Sequence, residues 1–259
     1  MSGTLVVMRR ELGALFFSPL AWILLFAALL LNGLLFSQNL ALIGDVTASI
    51  EFVFGGNFLF WGLVIVLAPL VSMRLITEES SNGTLEYLRT APLSDAAVIT
   101  GKFLAGLTFM AVLWSSAFLY AGAVQLQGLS PDWGQLVAIY VGIILASGLF
   151  VALGMTACAT TNTPLLGAFL AFMACLWWLL MPWLGSQVLP QFIMLFGANA
   201  KEAEDVLAGI LDRMAVMTHF GRSYFQGVID SSELVFFTTW TIFFLFLTTR
   251  ALEARRWRG

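Results

Sequence analysis

Between Asp132 and Lys201 the chain contains no Asp, Glu, Lys or Arg. An interval of that length without a charge has no means of facing water on any side, and it demands surroundings as apolar as itself. The remainder agrees, because 60% of the 259 residues are hydrophobic and only 10% are charged. The expected fold class is an all-α polytopic membrane protein, a single domain over 1–259 with no soluble module attached. Six stretches, near 20–40, 53–73, 98–124, 135–158, 165–184 and 233–252, are long enough or nearly so to cross a hydrocarbon core of about 30 Å. The polar run Thr160-Thr161-Asn162-Thr163-Pro164 divides the fourth from the fifth.

Residues 1–18 are too polar to span. Leu5, Met8, Leu12, Leu15 and Phe16 recur at helical spacing while Arg9, Arg10 and Glu11 lie off that stripe, which predicts a helix lying in the interface. If the N-terminus is cytoplasmic, that side holds Arg9, Arg10, Arg74, Arg89, Lys102, Arg250, Arg255, Arg256 and Arg258, nine of the twelve basic residues. Both termini and the 74–97 interval are then cytoplasmic, and 185–232 is a loop on the outer side. Within that loop Val206, Leu207, Ile210, Leu211, Met214 and Met217 fall on one arc between Glu202 and Thr218, predicting an amphipathic helix. Pro182 and Pro190 are expected to let the chain turn or re-enter before the last span.

The one long polar interval in the first two thirds of the chain runs from Arg74 to Lys102. Glu78 and Glu79 end a hydrophobic segment, Gly83 offers a turn position, and Thr84 can cap a short helix over Leu85–Arg89. Glu86 then lies in its first turn and Arg89 in its last, each where the helix dipole favours its charge. Pro92 stops that piece; Ser94 can cap the next helix, with Asp95 in its first turn. The interval reads as an amphipathic knuckle showing Leu85, Tyr87 and Leu88 beside Glu86 and Arg89.

Glu78-Glu79, Gly83-Thr84-Leu85-Glu86, Leu88, Thr90, Pro92 and Gly101-Lys102 together resemble the coupling-helix region of ABC-2-type transporter permeases. Gly221 to Asp230, a last apolar helix and Arg255-Arg256-Trp257 are similar to the C-terminal end of the gliding-motility-associated branch. Where that family commonly has basic residues before the glycine, this chain has Ser80, Ser81 and Asn82. The resemblance implies a six-span permease of the type V exporter kind in a bacterial inner membrane. It implies a second permease chain, identical or related, and two ABC ATP-binding subunits that carry the ATP and Mg, this chain holding no cofactor. It further implies that Leu85, Tyr87 and Leu88 enter the ATPase groove, that Glu86 with Glu78 or Glu79 meets basic groups, and that Gly83 and Pro92 fix the shape.

Other chemistries find no support. A phosphate-cradling loop ends in Gly-Lys-Ser/Thr, whereas Lys102 precedes Phe103 and Lys201 precedes Glu202, so no ATPase is expected on this chain. The span interiors are read as free of ionisable side chains, Lys102 being counted with the cytoplasmic charges, which argues against ion coupling. Asn32, Gln38, Asn39 and Gln125 are expected to make helix-packing hydrogen bonds. His219 reads as an ordinary loop histidine, Cys158 and Cys175 as small buried hydrophobes, and no metal site, catalytic group or nucleic-acid surface emerges. Gly167, Ala168, Ala171 and Ala174 offer a small-residue surface for close helix approach, expected between subunits. The rival to export is a membrane anchor or mechanical element of an ATP-powered envelope machine with no cargo.

Overall fold

The computed structural model describes residues 3–81, 94–196 and 201–256. All regular structure among the described residues is helical. Eleven α-helices run through them in chain order: α1 Gly3–Phe16, α2 Pro19–Ile43, α3 Val46–Glu51, α4 Phe58–Ser81, α5 Asp95–Trp114, α6 Ser116–Gln125, α7 Trp133–Cys158, α8 Pro164–Phe196, α9 Lys201–Met214, α10 Val216–Ser223 and α11 Ser231–Arg256. Six segments are long and apolar enough to cross a membrane: Pro19–Ile43, Phe58–Thr77, Asp95–Gln125, Trp133–Cys158, Pro164–Ser186 and Ser231–Ala254.

The fourth span, α7, is the axis. It packs against α4, α5, α8 and α11 and is buried over most of its length. Apolar helices in a lipid-like medium gain little from burying more apolar surface, so packing fit and interhelical hydrogen bonds hold them together. Both are present along α7. Ser72 Oγ donates to the Val151 carbonyl at 3.0 Å, Trp114 Nε1 to Ser147 Oγ at 3.0 Å, and Thr156 Oγ1 to the Phe244 carbonyl at 2.8 Å. Gly154 sits so close to Ser72 that a β-carbon would meet the serine Cβ at 3.0 Å. Cys158 and Cys175 are both free and buried.

Several boundaries differ from expectation for identifiable reasons. The second span begins at Phe58 rather than near residue 53, because residues 46–56 form a separate short element between the first two spans. Asp45 caps it, accepting from Thr47 N at 2.8 Å, and Gly55 ends it at φ 130°, a conformation open to glycine alone among common residues. Asn57 then caps α4 by accepting from Phe60 N at 2.9 Å, while Trp61 Nε1 reaches back to the Gly55 carbonyl at 2.8 Å. The expected turn or re-entry at Pro182 and Pro190 is absent, and α8 runs unbroken through both positions. Membrane helices tolerate proline because neighbouring groups compensate the lost backbone bond.

The amphipathic helix expected over Glu202 to Thr218 is present but divided at Ala215, whose ψ of 94° leaves the helical region. Beyond the break α10 turns Val216 and Phe220 into the core. There Phe220 joins Phe60, Trp61 and Tyr224 in a cluster of rings about 5 to 6.5 Å apart.

Candidate functional site

The expected coupling residues Gly83, Thr84, Leu85, Glu86, Tyr87, Leu88, Arg89 and Pro92 lie outside the described residues, and Glu78 and Glu79 fall in the last turns of α4. What the structure describes is the base on which that segment stands. The helix α4 leads into it at Ser81 and α5 leads out of it at Asp95. Ser94 caps α5 as its sequence predicts, its hydroxyl accepting from Ala97 N at 3.3 Å, with Asp95 in the first turn.

Two turns along α5, Lys102 is buried. Its ammonium donates to Glu11 Oε1 at 3.0 Å and to the Leu75 carbonyl at 2.7 Å, so one side chain ties α1 and α4 to α5. Lys102 and Glu11 keep only 4% and 6% of their side-chain surfaces, so the pair is shielded from the competition with water that weakens exposed ion pairs. Arg10 also donates to Glu11. Burial pushes the Glu11 carboxyl up, but the Lys102 ammonium and the Arg10 guanidinium outweigh it and hold the group below the ordinary carboxylate value.

The helix α1 can reach Lys102 because its neighbour is glycine. A β-carbon on Gly101 would lie 2.8 Å from the Thr4 carbonyl oxygen and 2.9 Å from Val7 Cβ. Arg74 adds a further bond, donating to the Ala14 carbonyl at 3.3 Å near the other end of α1. On the opposite side of α5 a β-carbon at Gly106 would meet Leu75 Cδ1 at 2.9 Å. Glycines 101 and 106 thus set α1, α5 and α4 at close spacing, and Lys102 locks the arrangement. The result is a three-helix joint whose two longer members flank residues 82–93.

This corrects two expectations. The apolar stripe of α1 excludes Glu11, yet Val7, Glu11 and Leu15 form its buried line while Leu5 stays half exposed. Lys102 groups with the loop charges in sequence but lies inside the third span. The available signal was spacing: Val7, Glu11 and Leu15 are four apart, and a lysine between Gly101 and Phe103 in an apolar helix needs a buried carboxylate within reach.

Of the small-residue surface on α8, Gly167 and Ala171 face into the same chain. A β-carbon at Gly167 would meet Thr77 Cγ2 at 2.8 Å, and Ala171 is wholly buried. The close approach they permit here is that of α8 to α4, with Ala168 and Ala174 half buried beside them.

At the far end of the bundle His219 is more than a loop histidine. Its Nδ1 lies 2.7 Å from Glu233 Oε2 and its Nε2 3.1 Å from the Arg213 carbonyl, with the ring stacked on Phe236 at 4.0 Å. Through these two contacts the imidazole joins α10 to the start of α11. Nearby, Gln135 donates to Glu51 and to the Phe225 carbonyl, joining α3, α7 and the turn after α10. Burial, with Asp45 adding to it, raises the Glu51 carboxyl against the opposing bond from Gln135.

Compared with known protein families, residues 17–172 match the model described as ABC-2 family transporter protein. No curated protein matches the chain.

Proposed function

The chain belongs to the ABC-2 transporter family, as a membrane-spanning subunit that associates with an ABC ATP-binding subunit, and on that premise we propose that ATP hydrolysis on the partner is coupled to export through residues 83–92 and the joint beneath them. The single observation that carries the reading is the Lys102 clamp, which binds α1, α4 and α5 together at the point where the chain leaves for that segment and returns from it. Driving a two-state permease from 1:99 to 99:1 takes about 5.5 kcal/mol of differential binding, so a compliant joint would dissipate the drive. A buried ion pair between closely packed helices is the stiff alternative.

In this reading the ATPase groove receives Leu85, Tyr87 and Leu88, Glu86 and the Glu78-Glu79 pair meet basic groups, and Gly83 and Pro92 shape the knuckle. Two ATPases act on two permease chains, identical or related, with both termini and the knuckle in the cytoplasm of a bacterial cell and the loop after α8 outside. The C-terminal resemblance favours the gliding-motility-associated branch. Aromatic filling of the core around Phe60, Trp61 and Trp114 supports a path between two chains rather than through one. The test is ATP-driven movement in vesicles holding the chain and its ATPase. Gly83→Val and Leu88→Asp should abolish coupling while the six spans remain inserted; full retention by both would overturn the reading.

A further inference from the structure

The first span touches the rest of the chain along a narrow line. Among its 25 residues only Ala21, Ala28, Asn32 and Phe36 are fully buried, spaced seven, four and four apart. Asn32 stands midway along the helix with no exposed surface, and neither its amide nitrogen nor its carbonyl oxygen has a hydrogen-bond partner among the described residues. Two turns further on, the Asn39 carboxamide oxygen is in the same condition. A polar group withdrawn from water without a partner is strongly disfavoured, most of all where the surroundings are hydrocarbon.

Beside Leu29, Gly33 and Phe36 the helix across the line is α6, through Tyr120. The first and third spans run in the same direction, and their register is fixed by Phe36 stacked on Tyr120 at 5.6 Å and by the Tyr120 hydroxyl donating to the Leu29 carbonyl at 2.6 Å. One turn back from each stacked ring lie Asn32 and the buried Ser116. The expected packing bonds of Asn32 are thus not made among the described residues, and the seam there holds a carboxamide with one free acceptor and two free donors. No Asp, Glu, Lys, Arg or His occurs on α2 or α6.

We propose that this seam is an intramembrane site for an uncharged group that both donates and accepts hydrogen bonds, a hydroxyl or an amide on an otherwise apolar molecule, and that Asn32 is its recognising residue. Such a group completes both halves of the carboxamide, which a charged headgroup or a pure acceptor does not. The site is distinct from the Lys102 joint, and its occupancy does not require ATP hydrolysis.

The test uses the full chain in phosphatidylcholine vesicles, whose lipid has no hydrogen-bond donor, with radiolabelled oleyl alcohol as probe and oleyl methyl ether as the acceptor-only control. Saturable binding of the alcohol in preference to the ether is expected, weakened by on the order of tenfold in Asn32→Leu. Without probe, Asn32→Leu should melt at a higher temperature than the natural chain, since it removes an unpaired amide while keeping the number and branching of side-chain heavy atoms. Release of the alcohol on adding the ATPase and ATP would mark a passenger, and retention a resident lipid; both require the site. A lower melting temperature for Asn32→Leu would show the amide paired within the fold and overturn the proposal. Equal binding of alcohol and ether in both proteins would overturn it too.

Discussion

Lys102 Nζ lies 3.0 Å from Glu11 Oε1 across 91 residues of sequence, with both side chains buried. Lys102 also donates to the Leu75 carbonyl, and Glu11 also accepts from Arg10. The pair converts an N-terminal helix that could float in the interface into a fixed part of the bundle.

Removing one partner should therefore cost more than removing both. Lys102→Met leaves a buried carboxylate with Arg10 as its basic neighbour among the described residues and should destabilise the chain by about 3–5 kcal/mol. Adding Glu11→Leu should recover most of that loss, because two apolar side chains of similar volume pack where the ions were. Thermal unfolding of the two single variants and the double variant in one detergent gives the coupling directly.

The Glu11 carboxyl is held below its ordinary value, which sets the pH response. A carboxyl depressed in the folded state contributes its stability above the unfolded value and loses it as pH falls through the folded one. Docking of α1 should be constant from neutrality down to the ordinary carboxylate range and loosen only at lower pH. Hydrogen exchange of the α1 amides across that window checks it, and Glu11→Gln should flatten the response.

Gly101→Val places side-chain atoms where the Thr4 carbonyl and Val7 now stand. Overpacking of this kind costs about 1–3 kcal/mol, and the lightest element should move. Faster exchange in α1, with exchange in α7 unchanged, is the expected outcome.

At the far end Gly55→Ala combines a φ of 130° with a β-carbon directed into the Phe220 ring. Strain on the order of 1–3 kcal/mol should lower the melting temperature and loosen the 46–56 element against α10. Trp61, whose indole donates to the Gly55 carbonyl, supplies a fluorescence reporter.

The spans are legible in the sequence because length and apolarity decide them, and the Ser94 cap because a cap is a local pattern. Residues 46–56 merge with the second span in sequence since Phe52, Val53 and Phe54 are as apolar as the span itself; only Gly55-Gly56 and Asn57 mark the join. The break at Ala215 carries no breaker residue and comes from Phe220 and His219 finding partners in other helices, Phe60 and Glu233. The clamp escapes a sequence reading for the same reason. Periodicity reports which face of a helix is apolar, while Glu11 lies on the buried face through a partner 91 residues away.

Co-purification of an ATP-binding subunit from the native membrane tests the central claim most directly, run on the natural chain, Leu88→Asp and the Glu11→Leu/Lys102→Met double variant. The account predicts an ATPase retained by the natural chain, lost from Leu88→Asp, and retained by the double variant, whose docking residues are intact, with hydrolysis uncoupled from movement. A natural chain that purifies with no nucleotide-dependent partner, or a Leu88→Asp variant that keeps the ATPase fully coupled, would contradict it.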